Sequence, residues 1–185
     1  IIDAASISAA LNNGNDVTIT TTSGGVIEDG DITITNATIL KNVNNNDVTL
    51  TLYAHNDIFI EDSSLTSTEN SLNIVLNSDR DASSVGRIRV DNSTISTNGG
   101  FLVAGGGDGD LGGANGIFGD GDGTGADDGY AYATTSSGVG IVDSAITTSG
   151  GDIFLKGYGV GGSTDGVGIY ESDLTSDGGR ISITG

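Results

Sequence analysis

Three groups of residues have types and spacings suited to chemistry. The first lies in the segment 105–129, where twelve Gly and six Asp fall within 25 residues. Carboxylates on a glycine-rich chain suit Ca²⁺, a hard cation that takes about six to eight oxygen ligands. Asp120, Asp122, Thr124 and Gly125 stand at positions 1, 3, 5 and 6 of an EF-hand-like loop, and Asp128 falls at position 9. Ala131 occupies position 12, where a bidentate Glu belongs, so the match is partial. The expected ligands are Asp120, Asp122 and Asp128, holding Ca²⁺. The competing reading is an acidic loop projecting from the body of the protein.

The second group is Glu61 and Asp91 with Arg87 and Arg89. Two carboxylates on one face can divide the roles of acid and base, as in polysaccharide cleavage. The same residues also read as a surface charge cluster with compensating arginines. The third group is a recurring small residue: Ala37, Ser63, Ser93, Ser144 and Ser172. No base accompanies these hydroxyls, so they read as structural and not as nucleophiles. The single histidine, His55, has no second His with which to hold a metal and reads as a solvated turn residue. Asn36-Ala-Thr38 and Asn92-Ser-Thr94 fit the glycosylation tripeptide, but in a chain this rich in Asn, Ser and Thr they read as chance.

The elements that must position these residues follow from the whole chain. Its 185 residues carry 6 Lys+Arg against 25 Asp+Glu, a formal charge of −19. That balance excludes a binder of nucleic-acid phosphates or of an anionic membrane surface, both of which need clustered cations. The absence of Cys removes disulfides and thiolate metal sites. No apolar run is long enough to span a membrane, and no secretory leader opens the chain. Because the first residue is Ile, it reads as a piece of a longer soluble protein. Only 35% of residues are hydrophobic while Gly numbers 32, a balance close to that of disordered chains.

The apolar residues are nevertheless regularly placed. One eight-residue pattern begins at Ile32, Ile58, Ile88, Val139 and Val167, with starts 26, 30, 51 and 28 residues apart. Positions one, three and eight are branched and apolar, as in Ile58, Ile60 and Leu65; position six is the small residue. A second apolar pair follows: Val48/Leu50, Leu72/Ile74, Leu102/Ala104, Ile153/Leu155 and Ile181/Ile183. Periods of 20 to 50 residues mark solenoids.

Side chains alternate across a strand, so positions one and three share a face while six and eight continue on the opposite parity. A bend must separate them. Two further bends close each repeat, giving three short strands per coil. The expected fold is an all-β, right-handed parallel β-helix of triangular coils, about six in number. It forms one domain over residues 1–185, with a Gly/Asp-rich insertion at 105–129. The corner residue is small because the turn is tight, and its hydroxyl is placed to bond a neighbouring coil. Gly24-Gly25, Gly99-Gly100, Gly150-Gly151 and Gly178-Gly179 mark other corners. Asn15-Asp16-Val17-Thr18-Ile19-Thr20 copies Asn46-Asp47-Val48-Thr49-Leu50-Thr51 and reads as the last strand of a preceding coil. Before it, Ser6–Gly14 reads either as a helical turn or two capped by Ser6 or as a short strand. In this frame Glu61 and Asp91 stack outward, and the column continues as Val142 and Tyr170. The charge-cluster reading is therefore preferred. Tyr130 and Tyr132 alternate with Ala beyond the insertion, as in an exposed strand.

The phrase Ile7-Ser-Ala-Ala-Leu11-Asn-Asn-Gly14-Asn-Asp-Val17-Thr-Ile19-Thr resembles filamentous haemagglutinin-type exoproteins of two-partner secretion systems. So do Ser93-Thr-Ile95-Ser-Thr-Asn-Gly-Gly100 and Ser144-Ala-Ile146-Thr-Thr-Ser-Gly-Gly-Asp-Ile153. The likeness covers most of the chain outside 105–138; the Gly/Asp-rich insertion departs from it. It implies the β-helical shaft of a large bacterial surface or secreted protein, often an adhesin, located outside the cell. The functional expectation is therefore a non-enzymatic shaft segment with no catalytic residues. Its expected partners are flanking repeats or further units joined end to end, and a host or matrix glycan or protein surface. A polysaccharide-binding or polysaccharide-degrading β-helix is the alternative.

Overall fold

The computed structural model describes residues 2–21, 30–43, 45–80, 85–107, 131–133, 138–159 and 165–185. Helix α1 (Ala4–Asn12) and strand β1 (Val17–Thr20) come first. Coil one is β2 (Ile32–Thr35), β3 (Thr38–Lys41) and β4 (Val48–Tyr53). Coil two is β5 (Ile58–Glu61), β6 (Ser64–Ser67) and β7 (Leu72–Ser78). Coil three is β8 (Ile88–Asp91), β9 (Thr94–Ser96) and β10 (Leu102–Gly106), and β11 (Ala131–Ala133) follows it. Coil four is β12 (Val139–Val142), β13 (Ala145–Thr147) and β14 (Ile153–Gly159); coil five is β15 (Val167–Tyr170), β16 (Asp173–Thr175) and β17 (Ile181–Thr184).

Equivalent strands of successive coils pair in parallel and build three sheets. The chain is thus a nearly all-β solenoid with three strands per coil. It makes about four turns, fewer than the six expected. The first and second sheets hold five strands each, whereas the third holds seven, gaining β1 and β11; α1 lies over β3 at the end of the second sheet.

The repeat places the core as its parity requires. Ile32, Ile58, Ile88 and Val139 form one inward column, and Ile34, Ile60, Val90 and Ile141 the next. Ile39, Leu65, Ile95 and Ile146 line the second sheet; Leu50, Ile74, Leu102 and Ile153 line the third. All of these are buried, so the thin core needs no large aromatic residue.

The register of the third sheet differs from expectation in two places. Leu102 stacks on Ile74 and not on Leu72, and Val17 stacks on Leu50 and not on Val48. For Leu102 the cause is the length of the second corner. Eleven positions separate Ile39 from Leu50, nine separate Leu65 from Ile74, and seven separate Ile95 from Leu102. Each change is two residues, so inward side chains stay inward. Where the corner is shortest the backbones touch. A Cβ on Gly100 would lie 2.3 Å from the Leu72 carbonyl oxygen, and one on Gly151 only 2.0 Å from that of Gly100. The second glycine of each pair is thus required by close approach; the first, Gly99 or Gly150, takes the left-handed φ of +96° or +111°.

Helix α1 resolves the choice at the amino-terminal end. Ile7 and Leu11, one turn apart, are its buried residues. Asp3, not Ser6, occupies the N-cap position; the Ser6 hydroxyl donates to Asp3 Oδ2 at 3.3 Å. The helix lies over β3: Ser8 Oγ accepts from Leu40 N at 3.0 Å, and Asn12 Nδ2 donates to Leu40 O at 2.8 Å. Among the described residues, no helix is long and apolar enough to cross a membrane.

Candidate functional site

The corner between the first and second sheets carries the most regular chemistry. Each small residue there is a rung of a ladder. The N–H of Ala37 donates to Ser63 Oγ at 3.1 Å, and those of Ser63, Ser93 and Ser144 donate to Ser93, Ser144 and Ser172 Oγ, each at 3.0 Å. Each hydroxyl in turn donates to the carbonyl two residues before it, as Ser93 does to Asp91 at 2.7 Å. Both functions of the hydroxyl are thereby used in holding coil to coil. The residue just before each rung (Asn36, Asp62, Asn92, Asp143 or Glu171) is left-handed, with φ from 43° to 49°. Asn and Asp tolerate that conformation best among residues with a side chain. Their side chains line an open groove along the corner, in which Asn92 Nδ2 donates to Asp62 Oδ1 at 2.6 Å.

A second ladder accounts for part of the acidity. Asp31, Asp57, Asp16, Asp47 and Asp152 each immediately precede the first residue of a strand. Each Oδ1 accepts a backbone N–H from the next coil: Asp57 from Arg87 at 2.8 Å, Asp47 from Ser71 at 3.0 Å, Asp152 from Arg180 at 2.7 Å. The two partners of this ladder whose titration is perturbed move in opposite directions. Burial pushes Asp57 above the ordinary carboxylate value of 3.8, although the Arg87 N–H and guanidinium oppose it. The N–H of Ser71 holds exposed Asp47 below 3.8.

The carboxylate pair lies on the outer face of the first sheet. Glu61 and Asp91 are direct partners on β5 and β8, and the column continues as Val142 and Tyr170. Arg89 is two residues from Asp91 on the same strand, hence on the same face. Its Nε and Nη2 both donate to Asp91 Oδ2, at 3.1 and 2.6 Å. Arg87 pairs with Asp57 at 3.3 Å, and its guanidinium lies 5.1 Å from the Phe59 ring centre. Asp91 is thus engaged by an arginine of its own strand. The surface formed is a carboxylate pair beside an aromatic ring and two guanidinium groups, a set that can bind sugar hydroxyls.

Other expected positions fall differently. His55 is half-buried and not a solvated turn: its N–H donates to Thr21 Oγ1 at 2.9 Å, and a Cβ added at Gly30 would lie 2.9 Å from its own Cβ. Asp120, Asp122 and Asp128 lie outside the described residues, as do Tyr130 and Gly24-Gly25. Among the described residues no group of three or more His, Cys, Asp or Glu could hold a metal ion. Two features had no counterpart in the sequence reading. Val75, Val103 and Phe154 form a second buried cluster on the side of the third sheet away from the core, where polar residues were expected. Lys41 is fully buried and donates from Nζ to the Glu69 carbonyl.

No protein-family model matches the chain, and neither a curated protein nor a solved structure matches it. Fold and surface define a parallel β-solenoid whose corners are tied by side-chain ladders.

Proposed function

We propose that this chain is a non-enzymatic structural or adhesive shaft segment of a secreted or cell-surface bacterial fibre protein, of the filamentous haemagglutinin type. The observation that supports this reading best is the continuity of the serine ladder, which runs from Ala37 to Ser172 through every coil. Polar groups at the corners are spent on holding coils together, as a load-carrying rod requires. In this reading the protein works outside the cell, contacts a host or matrix glycan or protein, and engages neither nucleic acid nor the membrane interior. Ca²⁺ held by Asp120, Asp122 and Asp128 belongs to the same proposal. A screen of the chain against acidic and neutral polysaccharides tests it, with no product release expected.

A polysaccharide-active solenoid is the second reading, favoured by the direct pairing of Glu61 with Asp91 beside Arg89 and Phe59. Turnover that disappears in Glu61→Gln would replace the first reading with this one.

A further inference from the structure

The second corner is built alike in three coils: Thr97-Asn98-Gly99-Gly100, Thr148-Ser149-Gly150-Gly151 and Ser176-Asp177-Gly178-Gly179. The second residue is left-handed each time, with φ of 50°, 52° and 51°. In coil three that residue is Asn followed by Gly, the pair most prone to spontaneous deamidation, because no side chain shields the Gly nitrogen. In that reaction the Gly99 nitrogen attacks Asn98 Cγ. The new N–Cγ bond forms, the bond from Cγ to Nδ2 breaks, and the Gly99 proton passes to the leaving nitrogen. Ammonia departs and a cyclic imide remains. Water then opens either carbonyl of the ring, giving aspartate or isoaspartate.

Asn98 and Gly99 are both exposed, so water reaches them. The reacting atoms are nevertheless held by the neighbouring coils. The Gly99 N–H donates to Thr148 O of coil four at 2.7 Å, and Asn98 Nδ2 donates to Asn70 O of coil two at 3.3 Å. Nucleophile and leaving group thus each belong to a bond between coils. Gly99 must give up its bond to coil four before it can attack.

We propose that Asn98 is a covalent modification site gated by the stack. It converts to aspartate or isoaspartate only while coil four is lifted from coil three at this corner. Loss of ammonia makes the change irreversible, so the site keeps a record of unstacking. Aspartate is accommodated afterwards, since Asp177 fills the same left-handed place in coil five. Isoaspartate routes the main chain through Cβ and lengthens it by one atom. That displaces the Gly99 N–H from Thr148, so a corner that has opened once closes less well. The inference concerns only the contact between coils and stands independently of the shaft reading.

The test incubates the folded chain and an isolated peptide of residues 91–107 side by side at neutral pH. Cleavage before Asp91 and Asp108 separates Asn98 from the Asn115-Gly116 pair, and fragmentation mass spectrometry reads the single-dalton gain at Asn98. Conversion is expected to be at least about tenfold slower in the folded chain than in the peptide. In urea below the unfolding transition, it is expected to accelerate in step with hydrogen exchange of the Gly99 amide, since both need the same opening. Ser149→Asn supplies a second case. Asn suits the left-handed φ there, and the Gly150 N–H donates to Ser176 O at 2.5 Å, so the new Asn-Gly pair is expected to be protected likewise. Conversion at the peptide's rate at either position, or a rate in urea that does not follow Gly99 exchange, would overturn the proposal.

Discussion

Ser93 and Ser144 are 51 residues apart in sequence and one coil apart in space, with the N–H of Ser93 donating to Ser144 Oγ at 3.0 Å. That bond is no longer than the rungs on either side of it, which span 30 and 28 residues. The segment between β10 and β11 therefore leaves the pitch of the stack unaltered.

Removing one rung isolates its worth. Ser144→Ala leaves the N–H of Ser93, a residue only 4% exposed, without its acceptor. A buried donor left unsatisfied costs about 1–3 kcal/mol, read as a lower denaturant midpoint in equilibrium unfolding. Ala37→Ser adds a hydroxyl at the first rung, where no N–H of a preceding rung meets it among the described residues, and is expected to change stability by less than about 0.5 kcal/mol.

The paired glycines separate two kinds of requirement. Gly150→Ala meets no atom within 4 Å but forces a side chain into φ of +111°, at a cost of about 1–2 kcal/mol. Gly151→Ala places a Cβ 2.0 Å from the Gly100 carbonyl oxygen, which only a shift of backbone can relieve. Its expected cost is on the order of 4 kcal/mol or more. Thermal unfolding of the two variants side by side checks the order.

Acid is expected to raise stability before lowering it. Folded Asp57 titrates above its unfolded value of 3.8, so as pH falls through that higher value the folded state gains a proton first and stability increases. Asp47 behaves in the opposite sense: its contribution is present above 3.8 and is lost as pH falls through its lower folded value. Relief of repulsion at a formal charge of −19 acts in the same direction as Asp57. A pH series of Tm should pass through an acid-side maximum, and Asp57→Asn should flatten the limb above 3.8.

Calcium is read by the same melt. Ca²⁺ at a hundred times its Kd should stabilise the chain by about 2.7 kcal/mol, and Asp120→Asn with Asp122→Asn should abolish the gain. An unchanged melt in millimolar Ca²⁺ would leave 105–129 an acidic excursion without metal.

Parity made most of the fold legible. Ile58, Ile60 and Leu65 cannot share an interior unless the chain turns between Ile60 and Leu65, and small residues there marked the tight corner that the serine ladder occupies. The acceptor role of Asp31, Asp57 and Asp47 was also readable, since each directly precedes an apolar strand residue. The left-handed Asn92 and Asp143 were hidden because Asn and Asp are abundant throughout the chain. Register was less accessible: Leu72/Ile74 and Leu102/Ala104 look equivalent by spacing, and only the backbone contact at Gly100 shows that Leu102 belongs over Ile74. The buried outer cluster of Val75, Val103 and Phe154 breaks the alternation that would have announced it.

The shortening of the second corner, from eleven positions to nine to seven, gives the solenoid something like a reading frame. An even insertion at that corner is silent, because the strand beyond it resumes in phase. An odd one is a frameshift: every later side chain of that strand exchanges interior for solvent until a second odd change restores phase. Growth and loss of corner residues in this chain are thus quantised in pairs, and a single added residue after Thr97 should be worse tolerated than two.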